Sequence, residues 1–316
     1  MGEIEQLREK YAFASTKNEQ MKIAKKMFEK ERNFFEFCEF MKDNPCREIC
    51  ILENEVYATY DIQGIPIRMV LDKTDMCAVP YTILLTRGYE QAEFAMVMKL
   101  LPYLGEHFRV FDVGANLGWY GINIKKRYQN CKVDFFEPVP NTCYRLQKNL
   151  ELNDIMDCIV NNIGLSDRTG GQSFFYDTVA SGASSMADLR EMSTTEQIDV
   201  RMKAMDDYVS DNFVERLDFI KCDVEGAEFL VYRGGEKTIA KYHPIIFSEM
   251  LRKWSAKFQY HPNDIIDFLN NLGYRCYVIS NGWLKSFDRV NEETVETNYF
   301  FLHEEKHQKI IQELCK

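Results

Sequence analysis

Proline and glycine are scarce, at 8 and 16 of 316 residues, which excludes a collagen-like chain or one dominated by linkers. No uncharged apolar run approaches the roughly 18–20 residues a membrane helix needs. Met1 to Lys10 is charged, with neither an apolar signal core nor a small-residue cleavage site. A cytoplasmic protein with no membrane partner is the expectation. An excess of basic charge is also missing. The 39 Lys and Arg against 49 Asp and Glu leave a net charge of −10, which argues against a nucleic-acid partner, because phosphate affinity rests on clustered Lys and Arg. The ten cysteines are dispersed, and the nearest pair, Cys46 and Cys50, has no second pair or His pair at zinc-site spacing. Reduced thiols and no metal site are expected from them.

What is present suits one large folded unit with an accessory segment. Hydrophobic residues make up 46% and aromatics 13%, ample for a sizeable core. Residues 1–42 carry Phe34, Phe37, Cys38 and Met41 at helical spacing, which predicts one or two amphipathic helices with a packing stripe. Asn44-Pro45 ends them. Glu55–Tyr60 and Ile65–Leu71 flank the turn-like Asp61-Ile62-Gln63-Gly64 and predict a β-hairpin. Residues 1–85 are thus set apart as an accessory region from a main domain at 86–316. From Arg109 onward the pattern alternates. Strands are predicted at Arg109–Val113, Lys132–Phe136, Ile159–Gly164, Leu217–Cys222, Ile245–Ser248, Tyr274–Ser280 and Asn298–Leu302. Helices are predicted at Leu117–Arg127, Pro140–Asn149, Gly226–Ala240 (disturbed at Gly234-Gly235) and Asn263–Leu272. Alternation of this kind means an α/β fold, a parallel sheet with helices on both faces.

The stretch from Phe111 to Tyr120 runs from strand to glycine turn to helix, where doubly wound sheets bind nucleotides. Gly114 and Gly118 permit close backbone approach and unusual φ. The turn departs from the dinucleotide fingerprint because Asn116 replaces the middle glycine. Asp112 at the strand end would repel a pyrophosphate and suits a ligand with ammonium and sulfonium charges, such as S-adenosylmethionine. A purely structural turn would also explain the glycines. Glu137, 23 residues beyond Gly114, stands near the spacing of an acid that accepts hydrogen bonds from ribose hydroxyls. Ser166 and Asp167 close the next strand and suit an adenine edge, though a plain turn explains them nearly as well. Asp223, Glu225 and Glu249 reach the same carboxyl edge, where acids bind cations, coordinate a metal, serve as bases or cap a helix.

The order of Gly88-Tyr89-Glu90, DVGANLGWYGINI at 112–124, FFEPVPNTCYRLQKNL at 135–150, GLSD at 164–167, LDFIKCDVEGAE at 217–228 and HPIIFSEM at 243–250 resembles the FkbM-type S-adenosylmethionine-dependent methyltransferases. The resemblance covers Gly88 to Leu302, about two-thirds of the chain. It implies a class I, Rossmann-like fold with a seven-stranded, mostly parallel sheet, here behind the N-terminal helical and hairpin extension. It implies methylation of a hydroxyl on a sugar, glycan or glycosylated metabolite. It also implies that Asp112, Gly114, Asn116 and Gly118 surround the methionine part, Glu137 the ribose, and Ser166 and Asp167 the adenine. Glu90 and Pro138 are counted with these cofactor-binding residues.

For the chemistry, Asp223, Glu225 and Glu249 are the candidate catalytic acids, with His243 and His261 behind them. Trp119, Tyr120, Ser184 and Ser185 are candidates for stacking on and hydrogen-bonding to a carbohydrate acceptor, although Trp119 suits a core position equally well. A nicotinamide-dependent oxidoreductase would use the same sheet but prefers the glycine missing at 116 and disfavours Asp112. A non-catalytic binding protein that keeps the fold is the other alternative.

Overall fold

The computed structural model describes residues 2–53, 55–187 and 195–316. Helix α1 (Glu3–Phe13) leads by a short turn to α2 (Lys17–Met41). Thr16 starts α2 with a capping box. Its hydroxyl accepts from the Glu19 amide at 3.2 Å while the Glu19 carboxylate accepts from the Thr16 amide at 3.3 Å. Donors that a helix start leaves without partners are thereby satisfied. The stripe at Phe34, Phe37, Cys38 and Met41 is not packed as its spacing suggested. Met41 is buried and Cys38 half-buried, whereas Phe34 and Phe37 face solvent.

A three-stranded antiparallel sheet follows, formed by β1 (Cys46–Ile51), β2 (Val56–Ile62) and β3 (Ile65–Val70) in that order. The expected hairpin is β2–β3, and β1 joins its outer side. Gln63 and Gly64 take φ of 57° and 82°, the backbone of a two-residue turn that matches strand twist. After α3 (Val79–Thr86) and α4 (Gln91–Leu100) come β4 (Arg109–Val113), α5 (Trp119–Arg127), β5 (Lys132–Phe136), α6 (Pro140–Leu152) and β6 (Ile159–Asn161). Helix α6 closes the open edge of β3 with side chains. Asn149 Oδ1 accepts from the Val70 amide at 2.8 Å and Asn153 Oδ1 from the Arg68 amide at 2.9 Å. These bonds tie the N-terminal sheet to the rest of the chain and cover an edge that would invite another strand.

The single strand expected at Ile159–Gly164 is two. The chain leaves the main sheet after Asn161, and β7 (Gly164–Ser166) joins β8 (Gly170–Asp177) and β9 (Thr195–Ala204) in a separate sheet ordered β7-β9-β8. The break is anchored by side-chain amides. Asn161 donates to the Phe135 carbonyl, and Asn162 to those of Glu137 and Pro138, each at 3.0 Å. The remaining elements are α7 (Met205–Asp211), β10 (Phe219–Cys222), α8 (Glu228–Arg233), α9 (Glu236–Tyr242), β11 (Ile245–Glu249), α10 (Arg252–Ser255), α11 (Pro262–Asn271), β12 (Tyr274–Ser280), β13 (Trp283–Ser286), β14 (Asn298–His303) and α12 (Gln308–Leu314). The helix expected over Gly226–Ala240 divides into α8 and α9 at Gly234-Gly235.

Among the described residues the main sheet has eight strands, ordered β13-β12-β14-β11-β10-β4-β5-β6. Strands β4, β5, β6, β10 and β11 are parallel, and β14 runs antiparallel between β11 and β12. The seven expected strands are all there, and β13 adds an eighth at the edge. The fold is the class I, Rossmann-like α/β arrangement. Alternate side chains along each strand enter opposite cores. Val110, Phe135, Phe219 and Phe247 pack with Phe94, Ile122 and Leu146, while Phe111, Phe136, Ile220 and Ile246 pack with Val231, Ile239 and Ile265. All ten cysteines are free thiols.

Candidate active site

Ligands of open α/β sheets sit beyond the carboxyl ends of the strands. A cleft opens there over β4, β5, β10 and β11. Its lining includes Glu90, Asp112, Gly114, Asn116, Trp119, Tyr120, Glu137, Pro138, Ser184, Asp223, Glu225 and Glu249 from the expected set. Gly118, Ser166, Asp167 and Ser185 are not among the lining residues.

Strand β4 ends in a turn built by its own backbone. The Gly114 and Ala115 amides both donate to the Phe136 carbonyl, at 3.1 and 3.0 Å, which carries the β4–β5 ladder into the turn. Gly114 has φ of 69°, and a Cβ there would stand 1.8 Å from the Asp223 carbonyl oxygen. Gly118 has φ of 85° and starts α5, and its Cβ would meet a Leu146 methyl at 2.4 Å. Both glycines therefore make room for protein, whatever else approaches the turn. Asp112 is buried. Its Oδ2 accepts from the Gly121 amide at 2.9 Å, and its Oδ1 is buried with no hydrogen-bond partner among the described residues. Burial pushes this carboxyl up to about 6, against the opposing pull of Lys221.

Glu137 turns back onto the same loop. Its two oxygens accept from the Asn116 amide at 2.9 Å and the Val139 amide at 3.0 Å. Burial raises it to about 7, with those two bonds resisting. Glu90 enters from the start of α4, in the left-handed region at φ of 42°, and accepts from the Tyr120 hydroxyl at 2.6 Å. Burial, then the neighbouring Asp223 charge, lifts it to about 7. Trp119 and Tyr120 touch the cleft yet are buried. Trp119 packs on Tyr89 and Phe94 (ring centroids 6.2 and 5.9 Å), and Tyr120 packs on Phe247 at 5.4 Å.

The acids at the β10 and β11 ends surround a lysine that sequence reasoning passed over. Lys221 is the register partner of Asp112, so both side chains leave the same face of the sheet. Its Nζ donates to the Gly114 carbonyl at 2.8 Å and lies 3.3 Å from Asp223 Oδ2 and 3.9 Å from Asp112 Oδ1. Burial works against its charge, but the carboxylates of Asp223, Asp112 and Glu90 hold it above the ordinary lysine range. The signal was legible: a charged residue inside the apolar run Phe219–Cys222. Beyond it, ligand oxygens of Asp223, Glu225 and Glu249 lie within 4.8 Å of one another, a grouping able to hold one cation or to share protons. Burial first, then the Asp223 charge, pushes Glu225 and Glu249 well above the carboxylate range. The loop carrying these acids is organised by Glu228, whose Oε1 accepts from the Val224 and Gly226 amides at 3.0 and 3.1 Å.

Three of the four residues outside the lining, Ser166, Asp167 and Ser185, have local partners. Ser185 donates to the Glu225 carbonyl at 2.9 Å. Asp167 pairs with Arg233 at 3.4 Å, and Ser166 is buried one position past Leu165, which does line the cleft. His243 stacks on His303 (centroids 3.9 Å), and His261 caps α11, so neither lines the cleft. Sequence reasoning also missed Cys77, Ala78 and Val79, which wall the cleft from the segment before α3. That segment is pinned by Arg145, at 3.1 Å from Asp72 and 3.2 Å from Asp75, and by the Met76 amide donating to the Val179 carbonyl at 3.1 Å.

Residues 112–276, just over half of the chain, match the model of the methyltransferase FkbM domain. The chain belongs to the FkbM-type S-adenosylmethionine-dependent methyltransferase family. Among similar proteins, the methyltransferase sdnD of Sordaria araneosa is 29% identical over 154 residues, spanning 40% of this chain and 59% of that protein. Methyltransferase 1 of Beauveria bassiana is 25% identical over 150 residues, spanning 42% and 60% respectively. The chain thus spans about 60% of the length of these two relatives. A solved FkbM methyltransferase from Methylobacillus flagellatus KT aligns at a TM-score of 0.41 and 15% identity, over 62% of this chain and 44% of that one.

The family's cofactor is S-adenosylmethionine, and the donors present fit it. It carries ammonium and sulfonium charges and no phosphate. The orphaned Oδ1 of Asp112 suits a cation, and each Glu137 oxygen keeps a second lone pair after its backbone bond.

Proposed function

We propose that this chain methylates a hydroxyl on a sugar, glycan or glycosylated metabolite, with S-adenosylmethionine as methyl donor. The observation that carries the reading is the convergence of the Asp112 turn and Glu137 with Asp223, Glu225 and Glu249 in one cleft. Asp112, Gly114 and Asn116 hold the methionine part of the cofactor, with Glu90 behind them, and Glu137 and Pro138 hold the ribose side. The bound cofactor supplies an activated methyl group. The chain's own contribution is alignment and removal of the acceptor's proton. Burial holds Glu225 and Glu249 above the ordinary carboxylate range, which makes each, once ionised, a stronger acceptor for that proton.

Trp119, Tyr120 and Ser184 border the acceptor's side of the cleft. Residues 1–85 act as an accessory region to a methyltransferase domain at 86–316 and bear on acceptor choice through Cys77, Ala78 and Val79. No described helix is long and apolar enough to cross a membrane, and a cytoplasmic site of action is part of the proposal. The test is incubation of the protein and methyl-labelled cofactor with cell extract, followed by mass spectrometry of every labelled product. Label on carbohydrate oxygen is expected. Label confined to nucleic acid, protein or amine nitrogen would overturn the acceptor class.

A further inference from the structure

Helix α2 is 25 residues long, about 37 Å at 1.5 Å per residue, and of these Met41 alone is fully buried. Helix α1 covers one side: Ile23, Ala24 and Met27 are half-buried, and Lys30 pairs with Glu3 at 2.8 Å. The adjoining side is apolar and open. Met21, Phe28 and Phe35, seven residues apart, are 70%, 60% and 58% exposed, and Phe34, Phe37 and Phe40 lie exposed beside the end of this row. Helices in proteins owe their stability mainly to packing of an apolar face, and an exposed patch of this kind marks an interaction surface. Repetition at seven residues is the period of paired helices.

The charges on α2 indicate what covers it. Residues 17–26 hold four lysines (Lys17, Lys22, Lys25, Lys26) and one acid, Glu19, whereas residues 33–41 hold Glu36 and Glu39 and no basic residue. The Arg32–Glu36 and Glu39–Lys42 pairs are exposed and screened by solvent. A second α2 laid parallel would set lysine against lysine. Laid antiparallel, it sets each basic end on an acidic one. An anionic lipid surface fits poorly, because the acidic end bears the largest share of the aromatic rings.

We propose that α2 is the docking surface for a second copy of this chain, paired antiparallel about a two-fold axis near Phe28. Such an axis sets Met21 opposite the partner subunit's Phe35, Lys17 opposite the partner subunit's Glu39 and Lys25 opposite the partner subunit's Glu31. The contact is isologous and closes at a dimer.

Sedimentation velocity of the full chain at 1–50 µM, in order-of-magnitude terms a standard range for such contacts, tests this, with thermal shift by S-adenosylhomocysteine as the control for folding. A dimer is expected for the unaltered chain. Phe28→Glu with Phe35→Glu is expected to give a monomer with its thermal shift retained. Lys17→Glu with Lys25→Glu, a surface change that leaves folding intact, is expected to weaken the dimer about tenfold or more. Adding Glu31→Lys and Glu39→Lys, the residues set opposite them, is expected to restore the dimer. A monomeric unaltered chain would overturn the proposal. So would tighter association of the Lys17→Glu, Lys25→Glu variant, which would mean parallel helices, or flotation of a monomer with phosphatidylserine vesicles.

Discussion

The Lys221 ammonium lies 3.3 Å from the Asp223 carboxylate, at the point where β10 passes its chain to the acidic loop. It also stands 3.9 Å from Asp112 and holds the Gly114 carbonyl, so one buried cation joins the cofactor turn to the acids beyond it. Removing it leaves Asp112 and Asp223 without a nearby counter-charge. Lys221→Met is expected to cost about 3 kcal/mol of stability and to weaken cofactor binding, measured by urea unfolding and calorimetric titration. A loss below about 1 kcal/mol, the worth of an exposed pair, would show that the lysine is not needed there.

The acids themselves reach the cleft and not the cores. Asp223→Asn and Glu249→Gln are therefore expected to lower turnover by roughly 10²–10⁴-fold, the worth of a positioned proton acceptor, with the melting temperature nearly unmoved. Because Lys221 already faces Asp223, a chelator is expected to leave turnover unchanged. Loss of activity to chelator and its return with a divalent ion would reassign the cluster to metal binding, and full turnover in both variants would remove the two acids from the chemistry.

Cofactor affinity is expected to depend on pH with a definite sign. Burial raises Asp112 to about 6 and Glu137 to about 7. Each is neutral below its value and ionised above it, and the ionised forms are the ones that attract an ammonium or accept from ribose hydroxyls. Affinity for S-adenosylhomocysteine should therefore fall as pH drops through 7 toward 6, by about tenfold for one unit below the Glu137 value. Titration calorimetry at pH 6, 7 and 8 checks this, with Glu137→Gln expected to flatten the curve. A flat profile in the unaltered chain would count against both acids.

The two turn glycines should differ in tolerance. Gly114→Ala brings Cβ within 1.8 Å of a backbone oxygen at φ of 69°, and Gly118→Ala brings it within 2.4 Å of a side-chain methyl at φ of 85°. A side chain can move aside and that backbone cannot without opening β10 from β4. Gly114→Ala is expected to be the more damaging by about 2 kcal/mol or more. Equal melting temperatures for the two variants would contradict the packing described.

Strands β4 and β5 were legible because each is a short apolar run followed by a glycine or proline turn and a helical period, at Phe111–Gly118 and Phe135–Pro140. Strands β8 and β9 were not, because they pair mainly with each other and mix polar with apolar positions, so neither shows a clean period. Strand β13 left a readable trace, Asn281-Gly282, both at positive φ. In the cleft, Asp112, Glu137, Asp223, Glu225 and Glu249 could be found because strand-end acids share one edge of a parallel sheet. Lys221 was missed although its charge inside the apolar run Phe219–Cys222 marked it, because the strand was read for its end and not its interior. Cys77, Ala78 and Val79 left no trace, since contacts distant in sequence bring that segment to the cleft: Met76 with Val179, Ser181 with Asp75, and Arg145 with Asp72 and Asp75.

That last contact has a bearing on chimaeras. The wall formed by residues 77–79 lies outside the stretch at 112–276 that defines the family, and it is held by an arginine from within that stretch. Splicing the family stretch alone onto a foreign leader would carry Arg145 across without its two aspartates and leave the cleft missing one side. Recombination that keeps this wall intact is thus constrained to crossover points upstream of Asp72 or downstream of Arg145, with Asp72, Asp75 and Arg145 inherited as a set.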